Sequence, residues 1–310
     1  MKTRPTRKQN PGIWFAAPAL CLLVLFFLIP VGGALILSLT DFDIYAIADV
    51  GVLRVVGLDN YVRLLRDPLF WVALENTAYF AVVGGPLSVA ASFAAALLLN
   101  SKLTRFHTLF RTILFLPVVT TLVAVAVVWR AIYHPRFGLL NYALSALAMG
   151  GTDWLGDPRW AMPALIVMAV WKSFGFNMVI FIAGLQSIPE RLYEAARVDG
   201  ARASQQLRHV TLPMLAPTFL FVGVTTAIGY LQLFAEPYVM TQGGPAHSTL
   251  SVVLFMYEQG FRWWNLGYAA ATAFVLFAII ALLTALGLRL RSSRGDAAGE
   301  AAGDALRGGA

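Results

Sequence analysis

Cysteine occurs once, as Cys21, so the chain can form no internal disulfide and no cysteine cluster for a metal. No Gly-Lys dipeptide occurs. That excludes a Walker A phosphate loop, and with it ATP held by this chain in that way. His-Glu-x-x-His is absent, and the four histidines, His107, His134, His209 and His247, fall in different connections. No Ser/His/Asp or Cys/His arrangement is legible, so neither a catalytic residue, a metal site nor a bound cofactor is expected. Charge is scarce as well, at 13% Asp, Glu, Lys and Arg against about 25% in a soluble domain. This excludes an ordinary soluble enzyme and a disordered chain alike.

What fills the gap is apolar. Hydrophobic residues make up 59% of the 310, mean hydropathy is +0.71, and the apolar residues come in long blocks. A helix needs about 20 such residues to cross the hydrocarbon core of a bilayer. Six blocks meet that length: Ile13–Leu39, Phe70–Leu99, Thr112–Trp129, Trp160–Leu185, Met214–Phe234 and Leu266–Leu288. The expected fold class is therefore all-α, a polytopic protein of six transmembrane helices with membrane lipid as its surroundings. The block from Ile13 is too long for the apolar region of a signal peptide, so an uncleaved anchor is expected. Inside the blocks the only full charges are Glu75 and Lys172.

The net charge of +7 is a matter of topology rather than of nucleic acid. With the N-terminus inside, the cytoplasmic side collects Lys2, Arg4, Arg7 and Lys8, then Lys102, Arg105 and Arg111, then Arg191, Arg197, Arg202 and Arg208, then four arginines from Arg289 on. That is about twice the number on the outer side, and the positive-inside bias puts both termini in the cytoplasm. Residues 1–12 then form a basic cytoplasmic segment. Residues 292–310, rich in Gly and Ala with scattered acids, are expected to be a disordered cytoplasmic tail.

The cytoplasmic connection 186–213 differs from the rest. Ser187-x-x-Glu190 has the spacing of a capping box, with Pro189 suited to a first helical turn. A short helix is expected from about Ile188 to Val198, ended by Gly200, and Pro213 and Pro217 open the next span. Small residues at Ala195, Ala196, Gly200 and Ala201 suit close approach by another protein, with Glu194, Arg197, Asp199 and Arg202 around them. A solvated amphipathic loop fits the same residues equally well.

Glu194-Ala195-Ala196, then Gly200, Val210 and Leu212-Pro213 resemble the EAA motif of permease subunits from binding-protein-dependent ABC importers. Val210 stands where isoleucine is more typical. The stretches Trp171-Lys172-Ser173-Phe174-Gly175-Phe176-Asn177 and Thr241-Gln242-Gly243-Gly244-Pro245 are similar to the carbohydrate-type members, maltose-type permeases among them. The resemblance spans roughly Ile13 to Arg291 and implies a type I ABC importer transmembrane domain over 13–291. It also implies an inner-membrane location and a carbohydrate, sugar or polyol, as cargo. The implied partners are a second homologous permease, a pair of ATPase subunits holding MgATP, and an extracytoplasmic sugar-binding protein. Glu194, Ala195, Ala196, Asp199, Gly200, Leu212 and Pro213 would couple to the ATPase. Gly200 as a plain helix cap is the competing reading.

Lys172 sits near mid-depth, where an ionised lysine is costly unless it faces water, a partner or the bundle interior. Substrate contact and a structural pair with a carboxylate or carbonyls account for it equally. Lys172, Ser173 and Phe176 share a helical face. Thr226, Gly229, Tyr230 and Leu233 share another, at i, i+3, i+4 and i+7. Resemblance to the maltose-type permease implies that both faces line the sugar path, whereas helix packing is the competing explanation for each residue. Asn177 and Gln232 are polar neighbours suited to interhelical hydrogen bonds. Gly243-Gly244-Pro245 marks a turn with a docking role implied by the resemblance. Two alternatives stand beside the sugar permease. One is a glycerol-3-phosphate-type permease in which Lys172 meets the phosphate. The other is a stand-alone ion-coupled transporter using Lys172 and Glu75.

Overall fold

In the computed structural model, residues 12–45, 53–100, 106–147 and 150–307 are described. The basic segment 1–11, together with Lys102 and Arg105, lies outside them. Helices dominate. Among the described residues five are long and apolar enough to cross a membrane, and a pair bent at a short break makes six when counted as one span. They fall into two compact units, one drawn from Met1–Arg66 with Met256–Val275, the other from Asp67–Phe255 with Leu276–Ala310.

In the first unit, helix α1 covers 12–38 with a π-helical stretch at Val24–Leu28, and α2 is Asp59–Arg66. The Asn60 side-chain amide donates to the carbonyls of Ser38 (2.9 Å) and Thr40 (2.8 Å), closing the turn after α1. The Arg63 guanidinium lies 4.7 Å from the centre of the Tyr268 ring.

The second unit holds α3 (Pro68–Asn100), α4 (His107–Val119), α5 (Leu122–Ile132), α6 (Leu139–Ala146), α7 (Pro158–Gln186), α8 (Glu190–Val198), α9 (203–214), α10 (Ala216–Leu231) and α11 (Ala235–Met240). Helix α12 follows over 252–262, and α13 is Leu266–Arg307. Helices α3 and α7 start with the same device. Asp67 and Asp157 each accept from the backbone N–H two residues on, at 2.9 Å, and proline follows at the first helical position. The cap satisfies an N–H that the helix leaves unpaired, and proline has none to lose. A phenylalanine triad, Phe93, Phe181 and Phe219, joins α3, α7 and α10 with ring centres 4.7–5.4 Å apart.

Three expectations need correction. The third span is not one helix: α4 and α5 meet at 100°, with Thr120 and Thr121 in extended conformation. Pro117 weakens the last turn of α4, and the β-branched run Val118-Val119-Thr120-Thr121 favours the extended backbone. The capping box at Ser187 does not form. The Ser187 hydroxyl donates back to the Gly184 carbonyl (2.7 Å) at the end of α7, and α8 begins at Glu190. The fifth span's helix stops at Leu231 rather than Phe234, and the chain restarts as α11 at Ala235. Helix α13 has helical backbone as far as Arg307.

Candidate functional site

Two places collect the residues singled out by the sequence. The first is a cavity of about 360 Å³ inside the second unit. Lys172, Ser173, Phe176 and Asn177 reach it from α7, and Thr226, Gly229 and Tyr230 reach it from α10. Both helical faces therefore meet in one space. Leu233 does not. The break after Leu231 takes it out of the helical register, and its side chain is buried in the apolar core with Val125 and Met240. The carbonyl freed there accepts from the Ser251 hydroxyl at 2.5 Å, which satisfies a group the broken helix orphans.

The polar groups around the cavity are organised by chains of hydrogen bonds between helices. Ser88 of α3 and Ser173 share one at 3.0 Å, and Ser173 and the Tyr230 hydroxyl share the next at 3.1 Å. One helical turn along α7, the Asn177 amide donates to Thr226 at 2.9 Å. Tyr230 thus has its hydroxyl anchored inward and its ring against Phe80, centre to centre 5.0 Å. Lys172 donates from Nζ to the Val118 carbonyl at 3.2 Å. That carbonyl belongs to the last turn of α4, where the helix supplies no partner and its dipole favours a cation. The break at Thr120 thus creates the acceptor that Lys172 uses.

Two residues here were not found in the sequence. Ser88 is one small polar residue in an apolar helix, and its partner lies 85 positions away. Glu236 also lines the cavity. It sits on α11, beyond the expected end of the fifth span and beyond the break at Gln232–Phe234. Glu75, the other intramembrane charge expected from the sequence, is exposed on α3 and is not part of the lining.

Gly84 controls the ring of Tyr230. A Cβ built on Gly84 would lie 2.7 Å from Tyr230 Cε1 and 3.1 Å from Cδ1. Gly84→Ala is therefore expected to push the ring into the cavity and break its bond to Ser173, a combined cost of about 2–3 kcal/mol. Trimming the ring in the double variant with Tyr230→Leu should recover part of that loss. A double-mutant cycle on heat stability reads the coupling, and simple additivity would show that the two residues do not meet.

The second place is the surface of α8 and the turn after it. Helix α8 ends in a Schellman arrangement: the Ala201 N–H bonds to the Ala196 carbonyl (2.8 Å) and the Gly200 N–H to the Arg197 carbonyl (3.0 Å). Gly200 takes φ +75°, the left-handed conformation that glycine accepts without a Cβ clash. Ala196, Asp199 and Gly200 border a shallow hollow with Ala201, Gln205 and His209, while Glu194, Ala195, Leu212 and Pro213 are exposed outside it. A hydrogen bond of 3.0 Å between Tyr193 and Thr211 ties α8 to the foot of the fifth span. Val198, at the end of α8, is 88% exposed, an apolar side chain in the open that the sequence did not single out.

Residues 87–293 match the family described as binding-protein-dependent transport system inner membrane component. The chain is 39% identical over 280 residues to the lactose transport system permease protein LacF of Rhizobium radiobacter, covering 89% of this chain and 92% of that one. It is 32% identical over 290 residues to the arabinooligosaccharides transport system permease protein AraP of Bacillus subtilis strain 168, with 93% and 90% covered. To the trehalose/maltose transport system permease protein MalF of Thermococcus litoralis it is 32% identical over 293 residues, with 94% and 96% covered. The fold is that of a chain from a bacterial alginate ABC transporter, crystallised in complex with alginate pentasaccharide-bound periplasmic protein: TM-score 0.79, 22% identity, 92% of this chain and 96% of that one. These matches run through the cavity and the α8 connection alike, and the chain belongs to the binding-protein-dependent transport system inner membrane components.

Proposed function

We propose that the protein is one of two permease subunits of an ABC importer, and that it passes a carbohydrate across the inner membrane through the cavity between α7 and α10. The observation that carries this is the convergence of Phe176, Asn177, Thr226 and Tyr230 on one space. Aromatic faces stack on the C–H side of a sugar, and hydroxyl and amide groups take its hydroxyls. The relatives, permease proteins of lactose, arabinooligosaccharides and trehalose/maltose transport systems, point to the same class of cargo.

Energy comes from a separate pair of ATPase subunits holding MgATP. They dock on α8, where Val198 offers apolar area and Gly200 allows close approach. A sugar-binding protein delivers the cargo on the outer face, and both termini stay in the cytoplasm. For a coupled machine of this kind, ATP must favour one global state and α8 must transmit the difference.

Phe176 is 53% exposed, its ring open to the cavity. Phe176→Ala is expected to slow uptake several-fold at unchanged chain level. The check is uptake of labelled lactose, arabinooligosaccharide, trehalose and maltose in native cells that carry the variant as their sole copy. The tagged chain should bring down a Walker-A ATPase and a second permease from the same membranes in gentle detergent. Recovery of the chain alone, competent for ion-driven uptake in liposomes, would overturn the importer reading.

A further inference from the structure

The cavity is lined by two formally charged side chains among the described residues, and they are of opposite sign. Lys172 comes from the middle of α7. Glu236 comes from the second position of α11, which follows the break in the fifth span.

A cavity with low-dielectric walls concentrates the field of any charge left uncancelled. With Lys172 alone the space would draw in anions and repel cations; with Glu236 alone it would do the reverse. The formal charges of the two side chains are opposite and sum to zero. Lys172 also donates to the Val118 carbonyl, which holds its ammonium to one side of the space. The rest of the lining is neutral, and its groups suited to a sugar are the rings of Phe176 and Tyr230, the hydroxyls of Ser173, Thr225 and Thr226, and the Asn177 amide.

We infer that Glu236 is a specificity-determining residue of the sugar path: its carboxylate cancels Lys172, keeps the path electroneutral, and excludes anionic sugars such as uronates and sugar phosphates while admitting neutral ones. Selection of this kind works by repulsion of the wrong cargo as much as by attraction of the right one. The inference rests on the cavity being the path.

The test uses the assembled complex in lipid nanodiscs and two small thiol reagents of opposite charge, 2-sulfonatoethyl and 2-(trimethylammonio)ethyl methanethiosulfonate. Cys21→Ser removes the native thiol, and Thr225→Cys places a reporter on an exposed position of the lining. The mass of this chain reports each modification rate, so partner cysteines do not interfere. With Glu236 and Lys172 both present, the two rates, corrected for the reagents' intrinsic reactivity, should agree to within about threefold. Glu236→Gln should raise the ratio of anionic to cationic rate by about tenfold or more, and Lys172→Met should lower it as far. The double variant should return it to the starting value, and Glu236→Asp should leave it there. A ratio unmoved by Glu236→Gln, or moved equally by Glu236→Asp, overturns the inference. Modification of the reporter should also stop ATP-driven uptake in proteoliposomes. A ratio that shifts while uptake continues would overturn the path reading instead, so the two failures are told apart.

Discussion

Gly200→Asp is expected to cut ATP-driven sugar uptake by at least about tenfold while leaving the chain inserted and folded, because the two costs of the substitution differ in size. The folding cost is small. Gly200 has φ +75°, so a side chain there is strained by about 1 kcal/mol, but an added Cβ meets nothing within 4 Å and the position is exposed. The docking cost is large. The new side chain stands at the rim of the hollow formed with Ala196 and Gln205, and it puts a second carboxylate beside Asp199. Coupling free energies between sites run to about 1–3 kcal/mol, so losing the contact removes most of the coupling. The check is paired: heat stability of the variant in gentle detergent, and the amount of ATPase that copurifies with it. Normal stability with lost ATPase supports a coupling role. Retained ATPase and retained uptake would make Gly200 a helix cap and nothing more, since Gly200→Ala would then account for its whole effect through backbone strain.

The residues that could be found in the sequence are those whose signal is periodic or local. Asp67-Pro68 and Asp157-Pro158 announce helix starts through a cap and a proline in adjacent positions, and both starts are where the sequence placed a span boundary within a few residues. Lys172, Ser173 and Phe176 share a helical face by spacing, and so do Thr226, Gly229 and Tyr230; all of them line the cavity. Gly200 followed a helix of the right length and takes the left-handed conformation. What escaped depends on interruptions and on distant partners. Leu233 obeyed the helical period, but the helix ends two residues before it; the local signal was Pro237, whose ring would meet the Leu233 carbonyl in a continuous helix and whose missing N–H leaves that carbonyl unbonded. Glu236 lies on α11, beyond the expected end of the span, so the face drawn from Thr226 to Leu233 did not reach it. Ser187 had two acceptable hydrogen-bond choices within reach, a carbonyl behind it and an N–H ahead, and spacing alone does not rank them. Ser88 gains its meaning from Ser173, which no local pattern connects to it.

Gly175→Val is expected to destabilise the protein by about 3 kcal/mol and to abolish uptake with it. Gly175 is buried on α7 where α4 passes. A Cβ there would collide with the carbonyl oxygen of Leu114 and lie 3.2 Å from the Leu114 carbonyl carbon and the Phe115 Cα, all of them backbone atoms. Backbone cannot rotate away as a side chain does, so the two helices must separate. Small residues at such crossings are what lets membrane helices approach closely enough for dispersion and polar contacts to hold them. Helix propensity argues the other way, since replacing an interior glycine commonly gains up to about 1 kcal/mol. The steric term is larger, and the sign of the net effect follows from it. The comparison that isolates it is Gly223→Ala on α10, where a Cβ meets nothing within 4 Å; there propensity acts alone and stability should hold or rise. Both variants are read as the fraction of chain that stays monodisperse after a heat challenge in detergent. The functional consequence follows from geometry as well. Gly175 lies three residues from Lys172, and Leu114 lies four before Val118, so the crossing that Gly175 permits is the one that holds the Lys172 ammonium on the Val118 carbonyl. Moving α7 off α4 would release that ammonium into the cavity and widen the path. Gly175→Val should therefore remain inactive even at temperatures where the chain survives, and full uptake in a surviving variant would show that the α4–α7 crossing does not position the site.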